Sequence, residues 1–128
     1  MLTLDDCRKI SAAAEAEAKK NNWNVCIAIL DDGGHLLHLA RMDGASPANA
    51  RIAQEKGRTA AESRRSTQVW EERIKAGRNS MLGMPGITPI QGGLPIVVEG
   101  VCIGGVGISG VQSHEDEQIA TAGIKALG

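Results

Sequence analysis

Apolar residues recur at helical spacing from the start of the chain. Cys7, Ile10, Ala14 and Ala18 fall on one face of a segment otherwise rich in Ala, Glu and Lys. Thr3, with Asp6 three residues on, reads as its N-cap, and Asn21-Asn22 ends it. The period then changes. Residues 24–30 (NVCIAIL) form an unbroken apolar run, which predicts a strand buried on both faces. Asp31-Asp32-Gly33-Gly34 is a turn signal, and residues 35–42 return as a second strand, so the two predict an antiparallel hairpin.

Ser46-Pro47 places a cap residue before a proline at a first helical position, which predicts a helix over residues 47–66. Small residues at Ala53, Gly57 and Ala60 share one of its faces and predict close approach to a sheet, with Lys56 and Thr59 on the neighbouring face. A shorter helix is predicted over 67–76. Residues 77–93 are rich in Gly, Pro and Asn and read as a long irregular loop, with a short extra strand near 88–91. Strands over 94–99 and 101–108 flank a Glu99-Gly100 turn, and a last helix capped by Ser113 runs to Leu127. The order α-β-β-α-α-β-β-α, with hairpins between helices, predicts one α+β domain over residues 1–128 with an antiparallel sheet.

Composition narrows the function classes. Net charge is −1, so no basic field invites nucleic acid or anionic membrane. Trp23 and Trp70 are the only aromatic residues, which leaves almost no stacking platform for single-stranded nucleic acid. No apolar run approaches the roughly 20 residues of a membrane helix, and residues 1–6 show no secretory apolar region. Three cysteines, Cys7, Cys26 and Cys102, lack paired spacing. Free thiols within apolar runs fit a reducing, cytoplasmic setting, with Cys26 and Cys102 buried in strands.

Candidate chemistry concentrates in the second half. Gly105-Val-Gly107-Ile-Ser109-Gly110 is a literal G-x-G-x-x-G, but too little chain follows it for a dinucleotide-binding βαβ unit. Glycines there and at Gly92-Gly93, before Pro95, predict bare backbone as pocket walls. The N–H groups opening the last helix would add positive character, and Lys56 with Thr59 would clamp a carboxylate. His35, His38 and His114 have poor spacing for a preformed metal site, and no metal site is predicted. No nucleophile-elbow motif is present.

Several segments taken together resemble the GlcG/HbpS-like family, which includes the C-terminal domain of PduO-type proteins. They are DDGGHLLHLARMDGA, EKGRTA, GGLPI, GGVGISG and DEQIATAG, and the likeness spans Leu4 to Leu127. The resemblance implies a profilin- or PAS-like fold and a homo-oligomer. It implies three functional classes: small-molecule binding or an accessory role in catabolism, haem binding or breakdown, and acid–base chemistry on small oxygenated substrates. Family positions fall on Arg41, Asp43, Ala45, Lys56, Thr59, Ala60, Gly92, Gly93, Pro95, Gly105, Ser109, Gly110, Asp116 and Ala120. Ligand contacts are thereby expected at Arg41, Lys56, Thr59, Gly92, Gly93, Pro95, Gly105, Ser109 and Gly110, and acid–base roles at Lys56, Asp43 or Asp116. The expected ligand is a small organic molecule bearing a carboxylate, or haem as cofactor. Glu62 stands where relatives often carry an aromatic residue, which removes ring packing a haem would use.

Overall fold

Thr3 and Asp6 exchange two hydrogen bonds, the Asp6 N–H donating to Thr3 Oγ1 and the Thr3 N–H to Asp6 Oδ2, both at 3.0 Å. This reciprocal cap starts α1 (Leu4–Lys20) as its sequence predicts. The computed structural model describes residues Met1–Gly128. After α1 come the hairpin β1 (Cys26–Asp31) and β2 (Leu36–Arg41), then α2 (Pro47–Ser63) and α3 (Thr67–Lys75). A 3-10 turn at Asn79–Gly83 leads to β3 (Gly93–Val98), β4 (Val101–Ser109) and α4 (Ser113–Lys125). The strands form one antiparallel sheet in the order β2-β1-β4-β3. The predicted α+β order is the observed one.

The alternation of β1 separates two cores. Cys26, Ala28 and Leu30 meet Ala53 of α2 on one face. Ile27 and Ile29 join Val106, Ile108 and Ile96 on the other, packed against Ile10 and Ala14 of α1 and Ile119 and Ala120 of α4. The α2 side works by close backbone approach: a Cβ on Gly107 would overlap the Ala53 carbonyl, and one on Gly57 would meet Leu30 and the Gly107 N–H.

Four local expectations are corrected. Residues 88–91 form no strand, because none of their N–H groups is free for a neighbouring strand: Thr88 N–H donates to Thr59 Oγ1 at 2.9 Å, Ile90 N–H to the Thr88 carbonyl at 2.9 Å and Gln91 N–H to Glu71 Oε1 at 3.2 Å, and Pro89 has none. α2 stops at Ser63, since Arg64 turns left-handed (φ 60°) and its guanidinium reaches back to the Ala61 and Asp32 carbonyls. α4 is capped by Gln112, whose N–H donates to Glu115 Oε1 at 3.1 Å, and Ser113 is its first residue. Cys102 is only half-buried, whereas Cys26 is fully buried, and all three cysteines are free.

Candidate functional site

Lys56 faces inward from α2 and is 2% exposed. Its Nζ donates to Asp116 Oδ2 at 2.9 Å and to the Ile108 carbonyl at 3.0 Å. The other oxygen of Asp116 accepts from the Val111 N–H at 3.2 Å. Burial pushes the Asp116 carboxyl above the ordinary carboxylate range, and the Lys56 ammonium pulls it part of the way back. This ion pair joins α2, the end of β4 and the first turn of α4. Gly92 (φ 132°) lies against it, and a Cβ there would come within 2.8 Å of Lys56 Nζ. Thr59 is fully buried beside it and holds Thr88. Gly93 is fastened in turn by Thr67, whose Oγ1 accepts from its N–H at 2.9 Å.

The cleft expected between the two glycine stretches and α2 is therefore filled by α2 itself. Gly92, Gly93, Gly105 and Gly107 meet protein backbone and buried side chains rather than open space, and Gly110 packs on Asn24 and Val25. Pro95 pairs with Gly105 in the sheet. The Lys56 ammonium spends its charge on Asp116. The structure brings Lys56, Gly92 and Asp116 together, but their contacts are to one another.

An open cleft lies at the same end of the sheet. It measures about 250 Å³ and is lined by Glu15, Lys19, Asn24, Arg41, Met42 and Asp43. Arg41 stands opposite Cys26, which in turn stands opposite Ser109, so three strands end in one row. Ser109 Oγ is hydrogen-bonded to Asn49 Oδ1 of α2 at 2.8 Å. Lys19 is paired with Glu15 at 3.2 Å, whereas Arg41 and Asp43 enter none of the ion pairs of the chain. The sequence reading missed Lys19 and Asn24. Counting back along the hairpin from the Asp31–Gly34 turn would have put Asn24 opposite Met42; the register shift between Ile29 and Leu30 moves it to Asp43.

A second cavity, about 430 Å³, opens at the opposite end of the sheet. Six of its eight lining residues are apolar (Met1, Leu2, Leu37, Val101, Cys102 and Ile103), and Asp31 and Asp32 complete it. Here Asp31 accepts the N–H groups of Gly33 and His35 at 2.9 Å, and both its oxygens lie 3.2 Å from His35 Nδ1. The backbone N–H of His35, aided by that of Gly33 and by the ring, holds the Asp31 carboxyl below the usual carboxylate range. His38 lies on β2 and His114 in the first turn of α4, apart from each other and from His35. No group of three His, Cys, Asp or Glu side chains is placed to hold a metal ion, and no helix is long and apolar enough to cross a membrane.

Residues 2–125 match the family model described as haem degrading protein HbpS-like. The chain belongs to the HbpS-like family. Protein GlcG of Escherichia coli is 53% identical over 100 residues, 78% of this chain and 75% of GlcG. Among HbpS-like structures, the crystal structure of a double mutant of Streptomyces reticuli HbpS superposes with a TM-score of 0.92 at 33% identity, covering 99% of this chain and 87% of that one. The crystal structure of a PduOC–haem complex superposes with a TM-score of 0.88 at 26% identity, covering 98% and 94%. These likenesses agree with the fold order and with the family read from the sequence.

Proposed function

We propose that this protein binds a small carboxylate-bearing organic molecule in the Arg41 cleft and acts as an accessory to that molecule's catabolism. The observation that carries the reading is the Arg41 guanidinium, a charged fork without a carboxylate of its own in an open polar cleft. A planar guanidinium grips a carboxylate through two parallel N–H donors. Lys19 and the Asn24 amide add donors, Met42 gives an apolar floor, and Asp43 can accept from a ligand hydroxyl. The volume of about 250 Å³ suits a short organic acid, since pockets for drug-sized ligands start at about 300 Å³. Lys56, Thr59, Ser109, Gly110 and Asp116 enter this reading as the frame that fixes the end of the sheet. Of the three acid–base candidates, only Asp43 is exposed to a ligand there.

The test is a calorimetric titration of short mono- and dicarboxylates against wild type and Arg41→Met. Loss of a charge-assisted hydrogen-bonded pair costs about 1.5–3 kcal/mol, roughly 10- to 150-fold in affinity. Equal affinities would remove the cleft from the account.

A second reading is haem binding, favoured by the likeness to the PduOC–haem complex and by the apolar cavity. The residues there fit the group. Leu2, Leu37, Val101 and Ile103 offer apolar walls to a macrocycle, and Cys102 among the lining residues is an iron-ligand type. Arg64, bonded to the Asp32 carbonyl at 2.8 Å, offers a cation to a propionate. Haem, when bound, supplies iron-centred redox chemistry. What the chain's own residues would do is exclude water from one face of the macrocycle and fix its orientation. A Soret band that appears on haem titration and saturates at one haem per chain tests this reading; a spectrum equal to free haem contradicts it.

A further inference from the structure

We infer that the ligand of the Arg41 cleft is a small amino acid, its carboxylate on Arg41 and its ammonium on Asp43. The inference rests on the carboxylate reading of that cleft and adds to it the second charge of the ligand.

Three observations converge. The charges lining the cleft cancel: Lys19 and Arg41 stand against Glu15 and Asp43, and Asn24 and Met42 carry none. A plain carboxylate would bring such a cleft an unbalanced negative charge, whereas a zwitterion leaves it neutral and meets a charge at each end. Next, the free charges are one of each sign. Lys19 and Glu15 pair with each other at 3.2 Å. Arg41 and Asp43 enter no ion pair, either together or with any other group, although both line the same space. Finally, the backbone between them is anchored. Buried Met42 donates its N–H to the Val25 carbonyl and accepts the Ala45 N–H, both at 3.0 Å.

Arg41 and Asp43 therefore flank a fixed residue, with Cα atoms at most about 7 Å apart. Two opposite charges held that close, yet not closed on each other, match a ligand whose own two charges share one short carbon skeleton. A ligand hydroxyl also donates to Asp43 but brings no charge, and that difference is what the experiment reads.

L-alanine, L-lactate and propionate share one skeleton and carry an ammonium, a hydroxyl and a hydrogen at the same carbon. The experiment titrates each into the full chain by calorimetry, for wild type, Asp43→Asn and Arg41→Met. L-alanine should bind wild type about 10-fold tighter than L-lactate, the gain of a charge-assisted hydrogen bond over a neutral one. Asp43→Asn should bring L-alanine down to the level of L-lactate, and Arg41→Met should weaken all three alike. Both side chains are exposed, so the variants should melt at the wild-type temperature, which separates binding from folding. If L-lactate or propionate binds wild type as tightly as L-alanine, the inference is overturned while the carboxylate reading stands. A preference for L-alanine that survives in Asp43→Asn overturns it in the same way. If none of the three binds, or if Arg41→Met binds them as wild type does, both fall together.

Discussion

Replacing Lys56 by Met should cost more stability than any surface change in this chain. Methionine keeps most of the apolar stem but removes the ammonium. Asp116, 1% exposed, then loses its counter-charge and keeps only the Val111 N–H. Breaking a buried pair by removing one partner costs about 3–5 kcal/mol, because the other charge stays behind unpaired. For a domain of this size that lowers the melting temperature by roughly 10–20 °C. Lys56→Met/Asp116→Asn removes both charges while retaining an acceptor for Val111, and it should recover at least half of the loss. The pH dependence gives a second check. Burial raises the folded-state pKa of Asp116 above its ordinary value of 3.8, so the native state holds more protons than the unfolded chain in the window above that value. This carboxyl's contribution to stability is therefore largest in acid and is lost as pH rises through the raised value. Without Lys56 the pKa rises further, so the gap between variant and wild type should narrow on acidification. Thermal melts between pH 4 and 8 measure it. A Lys56→Met protein as stable as wild type, or a gap that widens in acid, would refute the description of a buried charged pair.

Other expectations follow from the packing. Gly107→Ala sets a Cβ against the Ala53 carbonyl, so α2 must move, and denaturant titration should show a loss of about 3 kcal/mol. Thiol labelling of the native protein should reach half-buried Cys102 well before Cys7 and Cys26, whose thiols burial pushes up; equal rates for all three would contradict the strand placement. Sedimentation at micromolar concentration should report at least a dimer, since Leu36 and Leu39 on the edge strand β2 and Val97, Val98 and Val101 near the β3–β4 turn are exposed, and a monomer mass would count against that.

The fold was legible because its signals are local. The unbroken run before Asp31, the glycine turns and the Thr3 cap each name one element, and hairpin spacing sets the antiparallel pairing. The small face of α2 also announced its close approach to the sheet. What that pattern left open is which partner comes close. Glycines at 105 and 107 look the same in sequence whether a ligand or a helix fills the space, and here the Ala53 and Gly57 backbone does. Lys56 shows the same ambiguity: a lysine beside small residues announces burial, but its partner lies 60 positions away, one of three acids in the first turn of the last helix, and is singled out only when α4 is in place. The Arg41 cleft draws on α1, β1 and β2 together, and Lys19 belongs to it only through the packing of α1 beside the hairpin.

The central claim is that a carboxylate-bearing molecule occupies the Arg41 cleft. Native mass spectrometry of protein taken directly from expressing cells, wild type beside Arg41→Met, tests it most directly. The account predicts a wild-type mass above that of the bare chain by a small organic acid, and the bare mass for the variant. A ligand without a carboxylate, or an acid retained equally by both proteins, would contradict it.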